Sequence, residues 1–135
     1  MTDDFAAKIN RFMVKIVPEK AERRIRRIAM ACYQEIVNAS PVDEGTFRAN
    51  WRVGFGAINR DFDNTLTEKD IAQNTSQAFA MIGSQPNLLG TTIFISNSAP
   101  YAVRLENGYS RQAPAGVVGP VIRNIKAAID AGALQ

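Results

Sequence analysis

Near the N-terminus, apolar residues recur every three or four positions in two long runs, a spacing that predicts amphipathic helices. The first run covers residues 1–17, with two aspartates near the positive end of the helix dipole. Pro18 interrupts the pattern, and proline is best tolerated in the first turn of a helix. A second helix is therefore predicted from Pro18 to Ala39. Ser40-Pro41 ends it, because the residue before a proline is pushed out of helical space.

The same helical period returns in the second half of the chain. Thr65 and Glu68 have the spacing of a capping box, so a third helix is predicted to begin there and to end at Gly83. A last amphipathic helix is predicted for residues 118–129. Residues 130–135 are expected to fray beyond it.

Two segments show the patterns of β-strands. Apolar residues at every second position in 47–55 predict a strand with one buried face, and β-branched and aromatic residues predict a second strand at 91–96. A glycine turn over residues 41–45 leads into the first strand. The sequence predicts a single α+β domain over 1–135, with a small, mainly antiparallel sheet packed against several amphipathic helices. Because two strands alone are marginal, either another strand lies near 113–118 or a neighbouring subunit completes the sheet.

Composition limits the chemistry more than it limits the fold. The apolar share of 46% and the charged share of 21% are those of a globular domain. No apolar run approaches the roughly 20 residues of a membrane helix, and the N-terminus lacks the basic start and apolar middle of a signal peptide. We therefore expect the protein to remain in the cytosol where it is made, with no membrane partner.

The chain has no histidine, which excludes Ser/His/Asp and Cys/His catalysis and histidine-based metal sites. The single cysteine, Cys32, lies in an apolar helical stripe and is predicted to be a small buried hydrophobe. Asp43, Glu44 and Glu106 remain as candidates for carboxylate catalysis, but each has a structural role available and the sequence does not bring them together. The prediction is a protein that is not an enzyme, with no cofactor and no metal.

Basic residues are concentrated on the second predicted helix. At 100 degrees per residue they occupy the face opposite its apolar stripe. Two interpretations stay open: a solvated helix face, or a contact with DNA phosphates or an acidic neighbouring subunit. The residues of this basic cluster are Lys20, Arg23, Arg24, Arg26 and Arg27.

Two segments, 40–51 and 96–108, combine turn residues with charged and aromatic side chains. In the second, Pro100 opens a short helix over 101–107 that a glycine closes. An ion pair such as Arg48 with Glu106 would tie the segments together, within one chain or between subunits. The aromatic residues Trp51 and Tyr101 are predicted to be core or interface anchors. The motif positions singled out are Asp43, Gly45, Arg48, Trp51, Asn97, Pro100, Tyr101, Glu106 and Gly108.

Read as a pair, these segments resemble the tail-component or tail-completion proteins of long-tailed bacteriophages. The resemblance rests on the Pro-Val-Asp-x-Gly turn with Phe-Arg-x-Asn-Trp, and on Asn-x-x-Pro-Tyr-Ala-x-x-Leu-Glu-x-Gly followed by Gln-Ala-Pro-x-Gly. Lambda minor tail protein Z is counted as a distant relative of this family. Glu44 departs from the family pattern, which has threonine after Pro-Val-Asp.

The resemblance implies a structural virion protein at the head-proximal end of the tail, in the tail or neck. There such proteins complete or terminate the tail or join it to the head, after assembly in the host cytoplasm. The implied form is a homo-oligomeric ring, typically of six subunits, through which DNA passes. Implied partners are further copies of the chain, the tail tube protein and a connector or stopper protein, with non-specific DNA contact in the lumen. A small DNA-binding adaptor that uses residues 20–27 is the alternative.

Overall fold

The computed structural model describes residues 17–108 and 110–134. The helix predicted for residues 1–17 lies outside this part, apart from Val17, which begins the first described helix. The helix predicted from Pro18 is confirmed, and so is the last one. The elements are α1 (Val17–Ala39), β1 (Arg52–Phe55), α2 (Ile71–Ser84), β2 (Ile93–Ser96), α3 (Ala102–Glu106) and α4 (Val118–Asp130), with short 3₁₀ turns at Arg48–Asn50 and Glu68–Asp70.

The α+β class is confirmed, and the sheet is small. Strands β1 and β2 pair antiparallel, with Arg52 opposite Ser96 and Phe55 opposite Ile93. In the described part of the chain the sheet has these two strands only. The further strand considered near 113–118 is wrong, because that segment forms a turn with a single bridge between Ser110 and Ala113, and then enters α4.

The strand predicted for 47–55 is wrong in its first half. Residues 48–50 form a 3₁₀ turn, and the strand begins only at Arg52. Asn50, which the alternating pattern placed on the polar face, is fully buried at 0% exposure. Its amide nitrogen donates to the carbonyls of Thr46 (2.7 Å) and Asp63 (2.9 Å), and its Oδ1 accepts from the Asp63 amide (2.8 Å). This side chain holds the turn closed, so the backbone cannot extend there.

The predicted capping box of Thr65 and Glu68 is also wrong. The amide of Thr67 instead donates to Oδ2 of Asp70 at 2.9 Å, so the box lies two residues later and closes the 3₁₀ turn before α2. Thr65 is occupied elsewhere, because its amide and hydroxyl both bond to Oδ1 of Asp63. A Ser/Thr side chain bonds whichever backbone or carboxylate group is nearest, and spacing alone does not decide between neighbouring boxes.

The hydrophobic core lies between α1, α2, α4 and the sheet. α1 packs against both α2 and α4, and α2 also covers β1 and the first 3₁₀ turn. Tyr33, Ile82 and Val117 are essentially without solvent contact at its centre. The apolar stripe of each helix faces this core, as the helical period requires. The other buried residues of the core include Ala29, Ile36, Val37, Phe47, Trp51, Val53, Ala78, Val121 and Ile125.

A polar network joins the end of α1 to the start of β1. The Tyr33 hydroxyl donates to the carbonyl of Trp51 (2.8 Å) and accepts from Nδ2 of Asn74 (2.9 Å). The indole nitrogen of Trp51 donates to Oγ of Ser40 (2.7 Å), which donates to the carbonyl of Ile36 (2.7 Å). Burial raises the pKa of Tyr33 to about 12, so this hydroxyl stays protonated and can donate.

Candidate functional site

The first motif is a tight turn whose glycine is required by geometry. Gly45 has a φ of +84°, and a Cβ placed there would lie 2.3 Å from the backbone nitrogen of Glu68. The same approach lets the amide of Glu68 donate to the carbonyl of Glu44 at 3.1 Å. The turn is therefore locked against the 3₁₀ turn that precedes α2.

Arg48 binds the end of α1 rather than a carboxylate. Its Nε and Nη2 donate to the carbonyl of Ser40 (3.1 and 2.6 Å), and Nη2 also reaches the carbonyl of Asn38 (3.1 Å). These carbonyls form the negative end of the α1 dipole, which a guanidinium neutralises. Burial lowers the pKa of Arg48, and the charge of Glu68 acts in the opposite direction. The Arg48–Glu106 ion pair predicted within one chain is therefore not formed.

Glu106 instead caps α4 from across a loop. Its Oε1 accepts from the amides of Val117 (2.9 Å) and Val118 (2.7 Å), and its Oε2 accepts from the amide of Gly119 (3.0 Å). Burial raises the pKa of Glu106, but these three donors, with the nearby charge of Arg123, outweigh it and leave the pKa below its ordinary value. The first turn of α4 therefore takes its acceptor from α3.

Sequence reasoning missed this role of Glu106, although the chain carries a signal for it. The segment that opens α4 has no Ser, Thr, Asp or Asn at its N-cap, where Val117 stands. Four amides at a helix start need acceptors, so a helix without a local cap must obtain them elsewhere. Glu106 supplies these acceptors, because Gly116 (φ +85°) has no Cβ and the loop before α4 can therefore lie against the backbone of Glu106.

The two motifs meet directly. Nδ2 of Asn97 donates to the carbonyl of Phe47 at 2.8 Å, across 50 positions of sequence. The ring of Phe47 lies between two others, with its centroid 5.5 Å from that of Trp51 and 6.0 Å from that of Tyr101. Such aromatic pairs add about 0.5–1.5 kcal/mol each beyond their burial. Trp51 is a core residue, whereas Tyr101 is 39% exposed and belongs to the surface.

A groove of about 600 Å³ opens where the motifs meet. The first motif contributes Pro41 and residues 43–47, and the second contributes Pro100, Tyr101 and Leu105. Asp43 and Glu44 are both exposed, and Asp43 accepts a hydrogen bond from Nε2 of Gln112 at 3.3 Å. Burial, then Asp43 and Glu44, raise the pKa of Tyr101, so both carboxylates act on its hydroxyl. The groove has an aromatic lining and an acidic rim.

Helix α3 separates this groove from a second one of about 240 Å³. Tyr101 and Leu105 line the first groove, and Ala102, Val103 and Glu106 line the second, as a helical period requires. Val103 is 74% exposed, an unusual position for an apolar side chain flanked by two grooves. The second motif thus presents apolar surface on a ridge, a form typical of protein contact surfaces.

The three candidate catalytic carboxylates do not form one centre. Asp43 and Glu44 line the first groove, whereas Glu106 lines the second and uses both of its oxygens on amides of α4. Paired acid/base catalysis needs two carboxylates facing one reacting bond. Asp43 and Glu106 therefore do not have the arrangement that this chemistry requires.

The basic cluster on α1 is exposed, with one exception. Lys20, Arg23, Arg24 and Arg27 line one surface region near the start of the helix. Arg26 is half-buried: its Nη1 donates to the carbonyl of Ile82 at 2.5 Å and its Nη2 lies 3.9 Å from Glu22. The prediction that Arg26 lies on the exposed basic face is therefore wrong, because its side chain binds the end of α2.

One comparison with known proteins gives a match. Residues 3–108 match the HK97-gp10-like family, described as "Bacteriophage HK97-gp10, putative tail-component". The chain belongs to this family. No curated protein and no solved structure matches the chain significantly.

Membership of the HK97-gp10-like family identifies the chain as a bacteriophage tail component, a structural protein of the virion tail. The resemblance inferred from the two motifs is confirmed, because segments 40–51 and 96–108 lie within the matched residues, whereas the Gln-Ala-Pro-x-Gly run at 112–116 lies beyond them. α4, which Glu106 caps, lies beyond them. Within the described residues, no helix is both long and apolar enough to cross a membrane.

Proposed function

We propose that this tail component acts at the head-proximal end of the tail, where it completes or terminates the tail or joins it to the head. It does so as a ring of identical subunits, six in number, with DNA passing through the lumen. Its partners are its own neighbours in the ring, the tail tube protein and a connector or stopper protein. The role is structural and involves no catalysis.

The observation that carries this proposal is the ridge formed by α3. The two motifs meet at the groove beside this ridge, and they present Tyr101, Val103 and the groove rather than a gathered set of reactive groups. Exposed apolar residues beside grooves are typical of surfaces that bind other proteins. Motif residues that build a contact surface fit a ring subunit better than an enzyme.

The small sheet gives further support. β1 and β2 are four residues each, and within the described residues they pair only with each other. A two-stranded sheet is marginal alone, and its outer edges offer backbone groups to a partner. A ring neighbour that adds a strand would complete the sheet by β-augmentation.

Negative-stain electron microscopy of the purified protein, with and without tail tubes, tests the proposal. We expect closed rings, or tubes capped at one end only. Light scattering on the same samples gives the subunit number. A protein that stays monomeric both alone and with tail tubes would refute the ring, and binding along the tube wall would refute a role at its end.

A DNA-binding adaptor is the second candidate, favoured by one observation. Lys20, Arg23, Arg24 and Arg27 form a continuous exposed basic surface without interleaved aromatic residues. Such a surface binds phosphates without sequence preference, and each phosphate contact adds about one unit to the salt slope of binding. Affinity for DNA should then fall steeply between about 50 and 200 mM salt. Glutamine at all four positions should abolish it.

A further inference from the structure

The molecule carries two surfaces of opposite charge at opposite ends of α1. The basic surface, made by Lys20, Arg23, Arg24 and Arg27, lies in the first half of the helix. The acidic groove opens directly after its last residue, at Pro41 and residues 43–47. From Arg27, the nearest of these basic residues, to the end of α1 at Ala39 the helix rises about 18 Å, at about 1.5 Å per residue. An arginine side chain cannot span that distance, so the surfaces cannot meet within one chain.

Both surfaces are held in place by the fold. Arg26 binds the end of α2 and fixes the first half of α1. The groove is fixed by the Gly45 turn, by the bond from Asn97 to Phe47 and by the aromatic pair of Phe47 with Tyr101. Rigid surfaces need little reordering on binding, which is where much of the cost of association arises.

The charges on these surfaces are not used inside the described part of the chain. The ion pair found there joins Glu22 and Arg26, neither of which belongs to the two surfaces. Asp43 has one weak hydrogen bond, to Gln112 at 3.3 Å. Burial is the main cause of the raised pKa of Tyr101, and the charges of Asp43 and Glu44 add to it, so both carboxylates lie close enough to act on the groove lining. Exposed charges of this kind steer and orient a partner of opposite charge.

We propose that the acidic groove receives the basic first half of α1 from a second copy of the chain. Rim carboxylates Asp43 and Glu44 face Arg24 and Arg27 of the neighbour, and the stems of the basic side chains pack on the aromatic lining. The contact is head-to-tail, because its two halves are different surfaces. A head-to-tail contact builds a closed ring when its rotation closes. This inference rests on the proposed ring and names the residues that join its subunits.

Charge reversal tests the contact. One variant carries Arg24→Glu with Arg27→Glu, and the other carries Asp43→Lys with Glu44→Lys. Native mass spectrometry and light scattering measure the concentration at which half of the protein is assembled. Two reversed pairs should raise that concentration about tenfold or more in each variant. The matched control, Arg60→Glu with Lys126→Glu, reverses two exposed basic residues elsewhere and should assemble like the wild type. Circular dichroism confirms that each variant is folded.

Restoration by the swapped charges separates this contact from a general charge effect. A chain with all four substitutions again has complementary surfaces and should assemble. An equal mixture of the two variants should assemble as well, because each groove then finds a helix of opposite charge and an even-numbered ring closes by alternation. Failure of both restorations would refute the pairing, even if each reversal alone weakens assembly.

The remaining outcomes distinguish failure of this subunit contact from failure of the proposed ring. If the wild type forms rings and neither reversal affects them, the inference is wrong while the ring stands. If Arg24→Glu with Arg27→Glu leaves the ring intact but removes salt-sensitive DNA binding, the basic surface belongs to DNA and the inference is again wrong. A wild type that does not assemble, alone or with tail tubes, refutes both proposals.

Discussion

Replacing Glu106 by glutamine tests the link between the second motif and α4. The Glu106 carboxylate accepts hydrogen bonds of 2.7 to 3.0 Å from three amides, and these amides are the first donors of that helix. The glutamine side chain would keep one carbonyl oxygen but turn an NH₂ group towards the amide of Gly119. A lost cap costs about 0.5–2 kcal/mol, and hydrogen bonds to charged groups contribute about 1.5–3 kcal/mol each. We expect Glu106→Gln to lower the free energy of unfolding by about 1–2 kcal/mol and Glu106→Ala by about 2–4 kcal/mol.

The assay is urea unfolding at dilute protein, where assembly does not contribute, together with thermal melts. For a chain of 135 residues, about 1 kcal/mol corresponds to a shift in Tm of about 3–4 °C. Asp61→Asn, which changes an exposed carboxylate without a side-chain partner among the described residues, is the control and should stay within about 0.5 kcal/mol of the wild type.

The pH dependence gives a second and sharper reading. Because the pKa of Glu106 is lower in the folded state, its contribution is fully present above the ordinary value of 4.5. It is lost as the pH falls through the folded-state pKa. The stability difference between wild type and Glu106→Gln should therefore be largest near neutral pH and disappear in acid. Equal stability of the two proteins at neutral pH, or a difference that persists in acid, would refute the capping role.

Three further predictions concern the turn and the polar network. Gly45→Ala should lower the free energy of unfolding by about 2–4 kcal/mol in urea. Gly56→Ala, with φ +75° but no neighbour within 4 Å of the added Cβ, should lower it by about 1 kcal/mol. Equal losses in the two variants would show that the close approach of Glu68 to Gly45 does not matter. Tyr33→Phe should lose about 1–2 kcal/mol in thermal melts, and an unchanged Tm would contradict its bridging bonds. Arg48→Ala should destabilise by about 1–2 kcal/mol, and rescue by Arg48→Lys to within about 0.5 kcal/mol would show that bidentate geometry is unimportant.

The sequence predicted best where the backbone itself imposes the answer. Pro18 and Pro41 bound α1 because proline lacks an amide and restricts its neighbours, and Gly108 ends α3 with a φ of +85°. The helical stripes also identified the core faces, since burial follows the 3.6-residue period. These effects are local, so no knowledge of the rest of the fold is needed.

Prediction failed where a side chain from a distant segment decides the outcome. Residues 47–51 alternate like a strand, but Asn50 bonds to Asp63 and holds a 3₁₀ turn. Arg48 and Glu106 are both charged and lie in paired motifs, yet each is satisfied by the end of a helix. Helix ends present several backbone groups at once, and these compete with the opposite charge for the same side chain.

The position of the Glu106 cap has a consequence for choosing fragments to express. The family match ends at Gly108, but the carboxylate within it is bound to amides at 117–119, and α4 supplies Val121 and Ile125 to the core. A fragment cut at the edge of the match would expose that core face and leave an acidic group without its donors. A fragment suited to crystallisation or to transfer into another tail protein therefore includes all of α4, through Asp130, and the residues up to Leu134 that pack against the core.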